Sequence, residues 1–487
     1  MLFNFDYFDV YPKDPFIRKK YFTNFILFFL FLTTFVYVWD SPINHKIDMK
    51  SWRVFLIFIF TIFNFILFYS SFVIISIFSL IFSITTNTIT VEEAFFGYQH
   101  QVIWLVFSSF IIARASLKTG LGKRLSYLLL FMCGKTVLGI SYAFIIIEII
   151  LSLFITSNTA RGGGIVYPIV QSVISYYAEK LPKEESISLR SYLLKLCFYS
   201  NTITSALFLT GLTGNIVAVG LAEKFGITIT WLTWAKFTIL PGLVNLMFLP
   251  FILKFFHSID LFKTCDLSLI IHKNFQEIGK ITFLEKKIII IFFFIILFLF
   301  FGKFFNITAA ISILIGVMLL LITRILDWRD IKNEQSAFNT IIWLGYLISL
   351  TSLLADSFII QYIKENISII FEYYNHKLAI FIIFLIYFIL HYFTASTLAH
   401  FMTFYSPFLT ITIGSIVPST FLAIFLCVLS NLSGALTHYS TGTAPLYFNA
   451  GQFTLKDWWK SGAIISISNL AIWILVGCLW WRLLKFI

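Results

Sequence analysis

The chain is predicted to be an all-α polytopic membrane protein, with about 11 transmembrane helices plus two re-entrant hairpins in an inverted repeat. Three observations carry that prediction. Of 487 residues, 59% are hydrophobic and 12% are charged, whereas about a quarter of the residues in soluble domains are charged. Apolar runs at 22–39, 53–86, 288–323 and 461–481 approach or exceed the roughly 20 residues that span a hydrocarbon core. A short polar pattern also occurs twice, as Ser157-Asn158-Thr159-Ala160-Arg161 and, 239 residues on, as Ser396-Thr397-Leu398-Ala399-His400. Ile103-Trp104-Leu105 and Ile342-Trp343-Leu344 repeat in the same register, and two matches in one register are harder to assign to chance than either alone. The runs lack the alternation of barrel strands, and a lipid-facing backbone must satisfy its own hydrogen bonds, so the spans are helices.

Residues 1–48 are read as a tail and the first transmembrane helix. Asp6, Asp9, Lys13 and Asp14 crowd the terminus and Arg18-Lys19-Lys20 abuts the apolar run, a pattern unlike a cleavable signal peptide. Residues 49–257 form the first repeat, with a re-entrant hairpin at about 147–180. Residues 258–285 are a cytoplasmic connection, and 286–487 form the second repeat, with its hairpin at about 393–412. The offset carries the apolar block 53–86 onto 292–325, where a block at 288–323 lies. Ser200-Asn201 and Ser430-Asn431, and Ala206-Leu207 and Ala435-Leu436, pair at a slightly shorter offset. The charged connection 179–190 takes up the difference.

Each repeat reads as five spans plus one hairpin, an odd number of crossings that inverts the second copy. With the N-terminus inside, the positive-inside rule is met by Arg114, Lys118, Lys123 and Arg124, by Lys263, Lys273, Lys280, Lys286 and Lys287, by Arg324, Arg329 and Lys332, and by Lys456 and Lys460. Arg482 and Lys485 depart from it. The net charge of +12 therefore belongs to short loops, and a nucleic-acid partner is not expected. Cys133, Cys197, Cys265, Cys427 and Cys478 are scattered without metal-ligand spacing and read as packing residues or free thiols. Neither a metal nor a cofactor is expected.

The chemistry concentrates where the helices should break. Three consecutive glycines, Gly162-Gly163-Gly164, follow the first polar pattern and disfavour a continuous helix. Broken backbone at membrane depth survives where it lines a cavity, and its free N–H groups can then face a ligand. Ser157, Asn158 and Thr159, with Ser396 and Thr397, are the candidate anion cradle. One such motif alone would be a small-residue packing face; two in register favour a site. After each hairpin, Thr-Gly interrupts an apolar span, at Thr213, Gly214 and Asn215 and again at Thr441, Gly442 and Thr443. These segments offer hydroxyls and helix ends that suit carboxylates.

Arg161 and His400 hold the same place in the two copies. A charge near the bilayer centre costs about 2.5–3.5 kcal/mol, so its usual reason is functional. Two charged roles stay open, countering the charge of a dicarboxylate or replacing a coupling cation by holding hairpin-tip carbonyls, and His400 has a third, as a neutral, hydrogen-bonded helix residue. Glu148 either pairs with a cation such as Arg161 or caps the hairpin. Asp356, at the close of a span, reads as interfacial. Gly134-Lys135-Thr136 resembles the end of a phosphate loop, but Leu129 stands where the first glycine belongs.

Several stretches are similar to the divalent anion:sodium symporter family, within its 2-oxoglutarate/malate translocator and citrate/succinate antiporter branch. They are IWLVFSSFIIARASLKTGLGKRLSYL (103–128), ITSNTARGGGIVYPIV (155–170), TSALFLTGLTGN (204–215), WLTWAKFTILPGL (231–243), HYFTASTLAH (391–400), SNLSGALTHYSTGTAPLYFNAG (430–451) and the tail from 457 to 482. The resemblance implies an elevator-type homodimer in which the hairpins and unwound helices carry a dicarboxylate across a bacterial inner membrane. The family's first Ser-Asn-Thr maps onto Ser157, Asn158 and Thr159. The second copy departs from the pattern: its Thr stands one place early, at Thr397, so either Thr397 takes over that contact or a hydroxyl is lost. Antiporter relatives place cationic side chains where sodium-coupled members bind Na⁺, which suits Arg161 and His400. The expectation is Na⁺-independent exchange of dicarboxylates, with Na⁺-coupled dicarboxylate or sulfate symport as the runner-up. A membrane enzyme would need clustered catalytic acids, bases or metal ligands near an interface, and the loops carry none.

Overall fold

The computed structural model describes residues 32–42, 47–67, 72–257, 259–263, 278–301, 307–355, 357, 362, 376–394, 396–413, 415, 417–451 and 453–486. The expected first span at 22–39 lies outside the described residues as far as residue 31, as do the charged N-terminus, Cys265, Lys273, Asp356 and Ala395. The described residues are helical, with no strand among them.

Among the described residues, four helices are long and apolar enough to cross a membrane on their own: α4 (Gln101–Thr119), α11 (Trp231–Lys254), α15 (Gln335–Ala355) and α21 (Leu455–Leu483). The starts of α4, α11 and α21 are fixed by side chains that accept from otherwise unpaired backbone N–H groups. Thr230 Oγ1 accepts from Thr233 N at 3.1 Å, and Thr454 Oγ1 from Asp457 N at 3.2 Å. α4 stops at Gly120, whose φ of 71° suits a residue without Cβ.

The helices sort into two bundles. In the first, α1 (Met49–Leu67), α2 (Phe72–Thr85) and α3 (Val91–Phe95) pack on α15, while α4 packs on α15, α12 (Phe283–Phe301) and α13 (Ala309–Ile322). The short α14 (Trp328–Lys332) leads into α15. In the second, α9 (Lys183–Leu207) is the central post. It is buried along its second half and touches α6 (Val137–Ser152), α8 (Tyr167–Ala178), α11, α19 (Ser419–Ser433) and α20 (Ala444–Gly451). α21 closes this bundle against α11, where Trp480 and Trp481 donate to Lys236 O and Phe237 O at 2.6 and 2.8 Å. α5 (Leu121–Cys133) links α4 to α6, and α10 (Thr213–Glu223) touches both bundles.

Several apolar helices of the second bundle are short. α6 has 16 residues and α16 (His376–Ile389) has 14. At 1.5 Å per residue they reach about 24 and 21 Å, less than the roughly 30 Å of a hydrocarbon core. Their backbones break inside the bundle rather than beyond it.

Candidate functional site

The two breaks are built alike. After α6, Ser157 caps the single turn α7 (Asn158–Arg161) by accepting from Ala160 N at 3.2 Å, and a turn of π-helix, Gly162–Val166, leads into α8. After α16, Ser396 caps α17 (Thr397–His400) by accepting from Ala399 N at 3.0 Å, and a π-turn, Phe401–Tyr405, leads into α18 (Ser406–Ile413). Isolated π-turns free a carbonyl from the helical ladder and are frequent at functional sites. Here Tyr447 Oη donates to Gly162 O at 2.9 Å.

Each tip leans on a second break. Between α9 and α10 the chain opens at Phe208–Leu212, and Asn215 Nδ2 bridges Ser205 O and Phe208 O at 2.7 and 3.1 Å. Thr213 N donates to Thr156 O at 2.9 Å, tying this break to the first tip. Between α19 and α20, Ser440 Oγ donates to Thr437 O at 2.8 Å and to Gly434 O. Thr397 Oγ1 donates to Ser440 O at 3.3 Å, tying the second break to the second tip.

All four segments meet at one open cavity of about 750 Å³, within the usual range for small-molecule sites. The second bundle lines it with Ser157, Asn158, Thr159, Thr213, Gly214, Ser396, Thr397, Thr441 and Gly442. Two glycines permit the close approach: a Cβ on Gly442 would stand 2.3 Å from Thr159 Oγ1, and one on Gly214 would stand 2.5 Å from the Phe401 ring. The other two residues read from the sequence lie behind the wall. Asn215 is buried and its Oδ1 accepts from Asn431 Nδ2 at 2.7 Å, while the buried Thr443 hydroxyl bonds Thr441 at 3.0 Å. The first bundle supplies the facing wall, which includes Arg114, Glu334, Ser336, Asn339 and Thr340.

Arg161 does not line the cavity. It is wholly buried behind the first tip, its Nε 2.7 Å from Glu148 Oε2. Its Nη1 donates to Ile155 O at 2.8 Å and Gly211 O at 2.9 Å, and Nη2 to Ser205 Oγ at 3.1 Å. One guanidinium thus gathers a carbonyl from the tip and one from the facing break. Asn201 Nδ2 adds bonds to both Glu148 oxygens at 3.2 and 3.1 Å.

His400 is equally buried, and its neighbours are uncharged. Nε2 stands 2.9 Å from Tyr387 O and Nδ1 3.1 Å from Ser430 Oγ, which also bonds Tyr387 Oη at 2.6 Å. His391 lies beside it, ring centres 4.9 Å apart. Tyr387 is 239 residues beyond Glu148, as His400 is beyond Arg161. A charged pair in one copy is therefore a neutral aromatic pair in the other. Among the described residues no group of three or more His, Cys, Asp or Glu is placed to hold a metal ion.

Sequence reasoning passed over Arg114, Glu334 and Tyr387. Arg114 was read with the loop charges. Applying the 239-residue offset to Glu148 would have pointed to Tyr387. Next to the cavity, Lys118 Nζ stands 2.5 Å from Asp330 Oδ2; burial raises the Asp330 carboxyl pKa, but bonds from Lys118 and the Asp327 backbone outweigh it, and the net shift is downward. Glu334 shifts the other way, raised by burial that the more distant Arg114 and a Ser336 hydrogen bond do not offset.

A sequence model of the sodium:sulfate symporter transmembrane region matches residues 22–487. The chain is 35% identical over 448 residues to the putative malate transporter YflS of Bacillus subtilis, covering 92% of this chain and 94% of that protein. It is 34% identical over 407 residues to the chloroplastic dicarboxylate transporter 2 of Spinacia oleracea, covering 82% and 72% respectively. With the chloroplastic dicarboxylate transporter 1 of the same plant it shares 30% identity over 454 residues, 93% of this chain and 80% of the relative.

Proposed function

The chain belongs to the sodium:sulfate symporter family of integral membrane transporters, and on that premise we propose that it exchanges dicarboxylates of the 2-oxoglutarate/malate type without Na⁺. One observation carries the reading. Arg161 Nη1 bonds both Ile155 O and Gly211 O, bridging the first tip and the facing break with a positive charge as a coupling cation would. A tethered guanidinium there substitutes for a soluble ion. The substrate is met instead by the hydroxyls, amides and backbone of the cavity wall, Ser157, Asn158, Thr159, Thr213, Ser396, Thr397 and Thr441 among them, which suit an anion already desolvated on several sides. The names of the relatives favour a dicarboxylate.

In the same proposal, α6 to α8 and α16 to α18 are re-entrant hairpins related as an inverted repeat. The second bundle is the moving part of an elevator and the first is its scaffold, paired in a homodimer. The face that bears Lys118, Lys123 and Arg124 is cytoplasmic, in a bacterial inner membrane. His400 acts structurally, fixing the second tip through Tyr387 and Ser430 rather than by charge.

Cation-coupled symport is the second reading, and one feature favours it. Asn201 Oδ1 and Asn431 Oδ1 are buried oxygens without a hydrogen-bond partner, and oxygen ligands suit hard cations. Proteoliposomes separate the two. Labelled 2-oxoglutarate should enter vesicles loaded with malate and not empty ones, with or without a Na⁺ gradient. Concentrative uptake into empty vesicles driven by Na⁺ would establish symport instead.

A further inference from the structure

The charges around the cavity are unevenly placed. The wall from the second bundle is made of hydroxyls, amides, glycines and aliphatic side chains. The only charged residues on the described lining, Arg114 and Glu334, come from the first bundle. They face each other loosely: Arg114 Nη1 lies 3.7 Å from Glu334 Oε2, too long for a hydrogen bond, and Arg114 makes no hydrogen bond among the described residues. Its side chain is 38% exposed. One turn further along α4, Lys118 holds Asp330 at 2.5 Å, so the attachment of α4 to the α14 segment does not depend on Arg114. Burial meanwhile penalises the Glu334 carboxylate, and neither the distant guanidinium nor the Ser336 hydroxyl offsets it.

An arginine with unused donors, at the edge of an anion cradle and beside a carboxylate that it does not hydrogen-bond, is poised to trade that carboxylate for another. We propose that Arg114 is a specificity-determining residue that binds the second carboxylate of the substrate, displacing Glu334, which occupies the guanidinium when the cavity is empty. The proposal rests on the dicarboxylate reading above and deepens it. The cradle holds one end of the substrate and Arg114 the other, so the site selects dianions over monocarboxylates. Cradle and arginine belong to different bundles. In an elevator they part when the second bundle moves, and the arginine contact exists on one face of the membrane only.

The test is a sided one. Half-saturation for the dicarboxylate is measured on the Lys118-bearing face in inverted vesicles and on the opposite face in intact cells, with saturating malate across the membrane. Arg114→Gln should raise half-saturation roughly tenfold to a hundredfold on the Lys118-bearing face, as loss of a charge-assisted hydrogen bond does, and leave the other face unchanged. It should also narrow the preference for dicarboxylate over monocarboxylate on that face alone. Glu334→Gln should lower half-saturation there, and Lys118→Gln, outside the cavity lining, should leave it unchanged. A folding defect would instead cut the maximal rate on both faces alike without splitting the two half-saturation values. Equal effects of Arg114→Gln on both faces, no effect on either, or weakened binding in Glu334→Gln would overturn the proposal. A wild-type protein that exchanges no dicarboxylate defeats the functional reading itself, whereas one that does, with an indifferent Arg114→Gln variant, defeats only this inference.

Discussion

Replacing Arg161 with alanine is the sharpest perturbation of the site. Arg161 and Glu148 are both fully buried and 2.7 Å apart. Without the guanidinium, the Glu148 carboxylate keeps only Asn201 Nδ2, at 3.1–3.2 Å, and Thr204 Oγ1, at 3.4 Å. Breaking a buried ion pair by removing one partner costs about 3–5 kcal/mol. Ile155 O and Gly211 O lose their Arg161 donor as well, and an orphaned buried group costs about 1–3 kcal/mol. Water and protonation of Glu148 will recover part of this. If only about 3 kcal/mol is felt as displacement of the first tip, the competent population falls by more than about a hundredfold. Exchange of labelled 2-oxoglutarate should fall by at least that factor, in protein that still elutes as a single species. Guanidinium ion should restore part of the rate, since it fits the vacated space and meets the same carboxylate and carbonyls. An Arg161→Met, Glu148→Gln double variant should regain thermal stability but not exchange, because the two carbonyls still lack a donor. Exchange within about threefold of wild type in monodisperse Arg161→Ala would refute the reasoning, on the same energy scale.

Two further outcomes are expected. His400 meets a carbonyl and a hydroxyl and no carboxylate, so a neutral imidazole satisfies both contacts and exchange should be flat from about pH 6 to 8. A rate that falls as pH rises through that window would show that protonated His400 is required. Gly442→Ala would press a methyl to 2.3 Å from Thr159 Oγ1, and affinity should drop about tenfold or more with little change in thermal stability. Unchanged half-saturation in that variant would show that Thr159 and Gly442 need not touch for substrate to bind.

Much of the tip architecture was legible because it is local. A Ser that caps a single turn, with a polar or basic residue four places on, is written in consecutive positions, and the 239-residue offset marked the second copy. The all-helical, membrane-spanning class followed from composition together with long apolar runs that lack strand alternation. The roles of Asn215 and Thr443 were harder to read, since a Thr-Gly break does not say which of its side chains face the cavity and which brace it from behind. Glu148 was visible as a lone acid, yet only the fold brings it within 2.7 Å of Arg161. Arg114 was hidden for a different reason: a basic residue near a helix end is the usual mark of orientation in the membrane, and pattern alone does not separate that use from a place on a cavity wall.

An arginine built into the chain has a concentration that no compartment can change. A soluble cation at the same carbonyls would arrive and leave with each cycle, adding about 1.4 kcal/mol of driving force per tenfold gradient and about 2.3 kcal/mol per charge for each 100 mV across the membrane. Arg161 cannot dissociate, so a carrier that relies on it forgoes both sources. Under the exchange proposed above, the ratios of the two substrates on the two sides would be the force that sets the direction of flux, and a gradient of one dicarboxylate would be the means of concentrating the other.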